Sequence, residues 1–284
     1  MKDKINEIKA KLGTKYENTW CPGCPNFFIL ESVKRATAKL IAEGHKHENF
    51  AITTDIGCHA KIFDYLNFSG IYGLHGRALV TGLGITLGNP NLKVLSFMGD
   101  GANYSEGIAH FIHACRFNPD MVLLVHDNQS FSLTTGQTTP TAQKGYVSKS
   151  EPLGEFNEPF NPIKIALASG CTFIARCNAR DIEHTAEIIE KAINHKGFSF
   201  IEIIQDCLIF NLDANNKDKF MYKVQDNKDK NKAEKLADEW DYNKKDGKIP
   251  IGVIYQTEKP SLEEKWPQLK KLKEKKIGWK DFKG

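Results

Sequence analysis

Lys93-Val94-Leu95-Ser96-Phe97-Met98-Gly99-Asp100-Gly101 and Met121-Val122-Leu123-Leu124-Val125-His126-Asp127-Asn128 are the stretches that decide the fold. Each is a mostly apolar run of strand length that ends in residues able to do polar chemistry. Runs that stay apolar at consecutive positions suit strands covered on both faces, as in a parallel sheet. The same pattern recurs at FAITT (50–54), CTFIARC (171–177) and FSFIEII (198–204). Helix-like stretches at 102–115, 161–169 and 181–195 separate these runs. Ahead of them, NFFILESVKRATAKLIAEG carries Phe27, Ile29, Val33, Ala36, Leu40 and Ile41 at roughly helical spacing. Strands alternating with helices give an α/β class, a parallel sheet with helices on both faces. Ligands of such sheets bind beyond the carboxyl ends of the strands. Those ends carry Gly57-Cys58, Gly99-Asp100-Gly101 and Asp127-Asn128, and a fourth is followed by Cys207.

The chain has 284 residues, 40% of them hydrophobic, enough for one sizeable core with an appendage. Its 39 basic and 35 acidic residues leave a net charge of +4, too balanced to point to nucleic acid. No apolar run approaches the ~18 residues of a membrane span, and MKDKINEIKAKLG lacks a secretory apolar stretch. A cytoplasmic protein without membrane or nucleic-acid partners is expected. From about 213 the composition turns to Asn, Asp and Lys, in DANNKDK and NKDKNKAEK. This divides the chain into 1–212, carrying the chemistry, and 213–284, a polar extension expected to be weakly packed and able to cap a partner or the site. Within it KIPIGVIYQ (248–256) is an apolar island that should add a strand or dock on a partner, while LKKLKEKK reads as a solvated tail.

Gly99-Asp100-Gly101 is separated from Asp127 by 25 residues, 102–126. Glycines after a buried strand let main-chain amides approach a diphosphate, while Asp100 and the Asn128 side-chain oxygen can bind a hard divalent ion, here magnesium. The arrangement resembles the thiamine diphosphate signature, GDG followed after roughly 25 residues by NN. Asp127 departs from it at the first Asn position. By the same resemblance the main-chain carbonyl of Ser130 completes the protein's share of the magnesium shell.

In a reducing compartment the seven cysteines suit metal binding, catalysis or burial better than disulfides. Cys21-Pro22-Gly23-Cys24 can clasp one metal or cluster, and the distant Cys58 and Cys207 could close a four-thiolate site. On the cysteines alone, structural zinc, a redox dithiol and an iron-sulfur cluster all stay open. Cys115, Cys171 and Cys177 read as small buried hydrophobes, and His110, His113 and His126 as packing residues and a strand end.

Taken in order, WCPGC, GCHAK, HGRALVTGLG (75–84), GDG, GQTTPT (136–141) and QDC (205–207) resemble beta subunits of the two-subunit 2-oxoacid:ferredoxin oxidoreductases over roughly residues 18 to 215. This resemblance implies a thiamine diphosphate-binding fold with Mg2+, and a 4Fe-4S cluster on Cys21, Cys24, Cys58 and Cys207. It implies thiamine-dependent, CoA-acylating oxidative decarboxylation of a 2-oxoacid, pyruvate or 2-oxoglutarate, with electrons passed through the cluster to ferredoxin. It also places Gly57, Cys58, His75, Gly76 and Arg77 beside the cofactor. Lys61 or His75 would orient the substrate, and Leu133 would wall the pocket. The glutamate that activates thiamine belongs in this family to an alpha subunit, so activity requires that partner. Pro25 departs from the family's usual Gly, and Asn103 sits where a second acidic residue is frequent. Pro25 has no amide hydrogen to offer a cluster sulfur. The competing readings are a thiamine-dependent decarboxylase subunit without electron transfer, and a zinc-stabilised scaffold.

Overall fold

The computed structural model describes residues 2–211, 217–243 and 247–278. In chain order the strands are β1 (Phe50–Thr54), β2 (Ser69–Tyr72), β3 (Lys93–Gly99), β4 (Met121–Asp127), β5 (Ser130–Phe131), β6 (Gln137–Thr138), β7 (Phe173–Asn178), β8 (Ser199–Ile204), β9 (Met221–Lys223) and β10 (Ile249–Gln256). The longer helices are α1 (Lys2–Lys11), α2 (Asn26–Ala42), α4 (Ala78–Gly88), α6 (Ile108–Phe117), α7 (Pro162–Ala168), α8 (Ile182–Asn194), α9 (Lys230–Asp238) and α11 (Pro267–Lys275). Short turns of helix form α3 (Ile62–Tyr65), α5 (Asp100–Tyr104) and α10 (Leu262–Lys265).

Eight strands make one sheet in the order β2-β1-β3-β4-β8-β7-β10-β9, while β5 and β6 pair as a small hairpin. From β2 through β7 every pairing is parallel. Alternation along each strand then feeds two cores. Val122 and Leu124 of β4 join the core under α2 and α8, whereas Met121, Leu123 and Val125 join the core under α4, α6, α7 and α9. Helices therefore cover both faces, as the apolar runs predict.

The stretch after 212 departs from the weak packing expected of it. β10 lies antiparallel to β7 inside the main sheet, and α9 buries Ala233, Leu236 and Ala237 in the second core. Trp240 and Tyr242 are fully buried. LKKLKEKK is not simply solvated either, because α11 buries Leu269 and Leu272. Polar composition misleads here because the apolar residues are few but fall on one face. Residues 213–216 of DANNKDK lie outside the described residues. Among the described residues no helix is long and apolar enough to cross a membrane.

α4 depends on a glycine for its distance to the sheet. A β-carbon on Gly82 would fall 2.5 Å from Ser96 Oγ and 2.6 Å from Met121 Cε. Ser96 cannot step aside easily, since its hydroxyl bonds Thr53 Oγ1 at 2.7 Å. Gly82→Ala is expected to lower stability by about 1 kcal/mol. Overpacking of roughly 1–3 kcal/mol outweighs the ~1 kcal/mol gain in helix propensity. Thermal unfolding of the variant checks the sign.

Candidate active site

Because β1, β3, β4 and β8 are parallel neighbours, their carboxyl ends open on one edge of the sheet. One cavity there is lined by Gly57, Cys58, Gly99, Asp100, Gly101, Asn128, Ser130 and Leu133, residues the sequence singled out. Its floor is glycine for a steric reason. A β-carbon on Gly99 would come 2.9 Å from the His59 ring, and one on Gly101 would come 2.3 Å from the Phe131 ring. Between them Asp100 is buried, and burial pushes its carboxyl up to about 6, against the pull of hydroxyl donors including Thr141 at 3.0 Å. A carboxylate so desolvated, with hydroxyls as its side-chain donors, is suited to a bound cation. Asn128 is oriented by its own loop: Oδ1 accepts from the Ser130 amide at 3.1 Å and Nδ2 donates to Ser132 Oγ at 3.1 Å. The Ser130 carbonyl accepts from Ser132 Oγ at 3.3 Å.

Histidines line the other walls. His59, not foreseen from the sequence, is buried and hydrogen-bonded through Nε2 to Asp55 Oδ1, while Asp55 Oδ2 accepts from the Gly76 amide at 2.9 Å. Asp55 thus ties the loop after β1 to the loop before α4. The spacing Asp55 to His59, four residues on from a strand end, was the available signal. His75 lines the cavity and pairs Nδ1 with Glu106 Oε2 at 3.1 Å. Arg77 is exposed and donates to the carbonyls of Gly76 at 3.2 Å and Glu106 at 2.8 Å.

A second cavity is lined by Cys21, Cys24, Cys58 and Cys207, together with Lys61, Trp20 and Asn26. Lys61 therefore stands at the cysteines rather than over the glycines, where it donates to Thr19 O at 3.2 Å. The two cavities share Cys58, Asn128, Ser132 and Leu133 as a common wall. All four thiols are free. Burial pushes Cys24 up to about 11, with the other three cysteines adding to the rise, and also raises Cys58, against which Lys61 acts. The loops are fastened from behind. Trp20 Nε1 donates to the Cys58 carbonyl at 2.6 Å, the Phe210 amide donates to Cys207 Sγ at 3.4 Å, and Arg180 donates to Asp206 at 2.6 and 3.0 Å. Among the described residues no three His, Cys, Asp or Glu converge as the ligand set of a single metal ion. Cys115, Cys171 and Cys177 are buried in the cores, as expected.

Behind Asp100 runs a buried polar chain. Thr141 Oγ1 lies 3.0 Å from Asp100 Oδ2 and 3.1 Å from Asp127 Oδ1. Tyr242 donates to Asp127 Oδ2 at 2.6 Å and also contacts Glu202, which holds the fully buried Arg176 at 2.6 Å. Asp127 is pushed well upward by burial and by the Asp100 and Glu202 charges.

Comparison with known proteins places this arrangement. Residues 55–203 match the C-terminal TPP binding domain of thiamine pyrophosphate enzymes, and residues 214–271 match the C-terminal region of pyruvate ferredoxin oxidoreductase beta subunits. The chain is 40% identical to a 2-oxoacid:ferredoxin oxidoreductase subunit beta from a Sulfolobus species, over 87% of this chain and 85% of that one. It is 38% identical to the 2-oxoglutarate synthase subunit KorB of Archaeoglobus fulgidus, over 66% of this chain and 69% of that one. Among solved structures, the 2-oxoglutarate:ferredoxin oxidoreductase of Magnetococcus marinus, with 2-oxoglutarate, coenzyme A and succinyl-CoA bound, is similar. Its TM-score is 0.86 at 30% identity, covering 96% of this chain and 92% of that one. With a mostly parallel sheet whose strand ends carry a glycine-floored cavity beside four thiols, and matched over most of its length by these relatives, the chain belongs to the family of 2-oxoacid:ferredoxin oxidoreductase beta subunits.

Proposed function

We propose that this subunit holds thiamine diphosphate with Mg2+ in the glycine-floored cavity and a 4Fe-4S cluster on Cys21, Cys24, Cys58 and Cys207. With an alpha subunit it would decarboxylate a 2-oxoacid oxidatively in the cytoplasm, yielding the acyl-CoA and passing electrons to ferredoxin. The shared wall of the two cavities carries this reading: Cys58 and Asn128 line both, so the two groups would stand side by side.

The residues fit each group. Asp100 offers a desolvated carboxylate, Asn128 an amide oxygen and Ser130 a carbonyl, an all-oxygen set suited to magnesium. Four cysteines line one cavity, a four-thiolate set suited to a 4Fe-4S cluster. Thiamine diphosphate supplies the electron sink of a decarboxylation when bound. The chain's own part is orientation and charge. His59, held by Asp55, and His75, held by Glu106, fix two walls, and His75 would hydrogen-bond the substrate. Lys61, beside Cys58, lends positive charge to the cysteine cavity. Arg77 is assigned to bracing the loop between His75 and Glu106. Pyruvate and 2-oxoglutarate both remain within the substrate class.

The deciding experiment is iron, acid-labile sulfide and zinc per chain on the alpha-beta complex purified without oxygen. About four irons and four sulfides, bleached by 2-oxoacid plus coenzyme A, support the assignment. Stoichiometric zinc in a colourless protein overturns it. Gly101→Ala is expected to weaken thiamine diphosphate binding by up to about 100-fold, because the added methyl meets the Phe131 ring that walls the cavity. Calorimetric titration of the cofactor checks this.

A further inference from the structure

Asn26 opens α2 two residues after Cys24, on the wall of the cysteine cavity. It is 1% exposed. Its side chain is split between two surroundings. Oδ1 is bonded to His126 Nδ1 at 2.8 Å, while Nδ2, buried, has no partner among the described residues. A buried amide nitrogen left unpaired costs about 1–3 kcal/mol, so a fold that keeps one has an acceptor for it in the working protein. The cavity it lines is shared with all four cysteines, Cys24 being two residues away in the chain. His126 in turn lines the glycine-floored cavity, and among the described residues its Nε2 has no partner either.

We propose that the Asn26 carboxamide donates an N–H···S hydrogen bond to the group held by the four cysteines, and that His126 is the positioning residue that aims it. This inference rests on the iron-sulfur reading above and deepens it. Pro25, which has no amide hydrogen, precedes Asn26, so the side chain supplies a donor that the neighbouring main chain cannot. A hydrogen bond to a cluster sulfur stabilises the more negative reduced state and raises the reduction potential. His126 links that donor to the cofactor cavity through a single bond, so the chain joins the two sites by Asn26 and His126 as well as by the shared wall.

The test is a redox titration of the cluster, followed by electron paramagnetic resonance on the alpha-beta holoenzyme, with iron and sulfide counted in every sample. Asn26→Leu keeps the branched skeleton and removes both donor and acceptor; Asn26→Asp keeps the acceptor for His126 and exchanges the donor for an anion. Both are expected to shift the potential to more negative values, the aspartate further. Both should also remove an exchangeable-proton coupling seen in the wild-type reduced cluster by electron-nuclear double resonance. His126→Leu should shift the potential in the same direction by less. If both Asn26 variants carry full iron and sulfide at the wild-type potential with the proton coupling intact, the inference is overturned while the cluster assignment stands. If the wild type itself contains no iron and sulfide, the reading beneath it falls, and this inference with it.

Discussion

Asp100→Asn is expected to weaken magnesium-dependent binding of thiamine diphosphate by more than about 100-fold, and to remove thiamine-dependent turnover with it. The size follows from the kind of contact. Loss of a residue that only supports a metal ligand costs about 10–100-fold, so loss of the one carboxylate in an otherwise neutral oxygen set should cost more. Asparagine preserves the volume and can still accept from Thr141, so the variant isolates charge from shape. It should fold as well as the wild type or better, since burial holds the Asp100 carboxyl up at about 6. A buried carboxylate without a cation is costly to fold around. Calorimetric titration of apo protein with thiamine diphosphate and Mg2+, beside a thermal melt without either, separates the two effects. Binding within about threefold of wild type would move the metal away from Asp100.

The fold and the two cavities could be read from the chain because their signals are local. Apolar runs such as MVLLVH specify strands covered on both faces, and a parallel sheet brings all the residues at strand ends to one edge. Gly99, Asp100, Asn128 and Cys207 are therefore legible from the sequence as strand-end residues or their followers. What stayed hidden depends on partners far apart in sequence. Asn26 meets His126 across 100 positions, and Tyr242 meets Asp127 across 115. Lys61, taken toward the substrate from the family resemblance, lines the cysteine cavity beside Cys58, a neighbourhood that its place in the chain does not specify. The polar stretch after 212 misled because composition averages over a helix, whereas packing depends on its one apolar face.

Glu202→Ala is expected to destabilise the protein by about 3–5 kcal/mol, the cost of leaving one partner of a buried ion pair without the other. Arg176 and Glu202 are both fully buried, and the guanidinium has little else. Among the described residues its Nη1 and Nη2 have no hydrogen-bond partner, and the Trp240 ring lies 5.0 Å from its centre. Removing both charges together, as Glu202→Leu with Arg176→Met, should recover most of the loss, because the desolvation cost of the pair disappears with it. The midpoint of denaturant unfolding for the single and double variants measures this coupling. A loss below about 1 kcal/mol in Glu202→Ala would mean that water reaches the pair. The same variant also tests how the segment after 212 serves the active site. Glu202 holds the hydroxyl of Tyr242, Tyr242 holds Asp127, and Thr141 bridges Asp127 to Asp100. Thiamine diphosphate affinity should therefore fall in Glu202→Ala and also in Tyr242→Phe, a change that leaves the Arg176 pair intact. A loss of affinity in Tyr242→Phe with little loss of stability would make the C-terminal segment part of the cofactor site, acting through Asp127 and Thr141 on the Asp100 carboxylate.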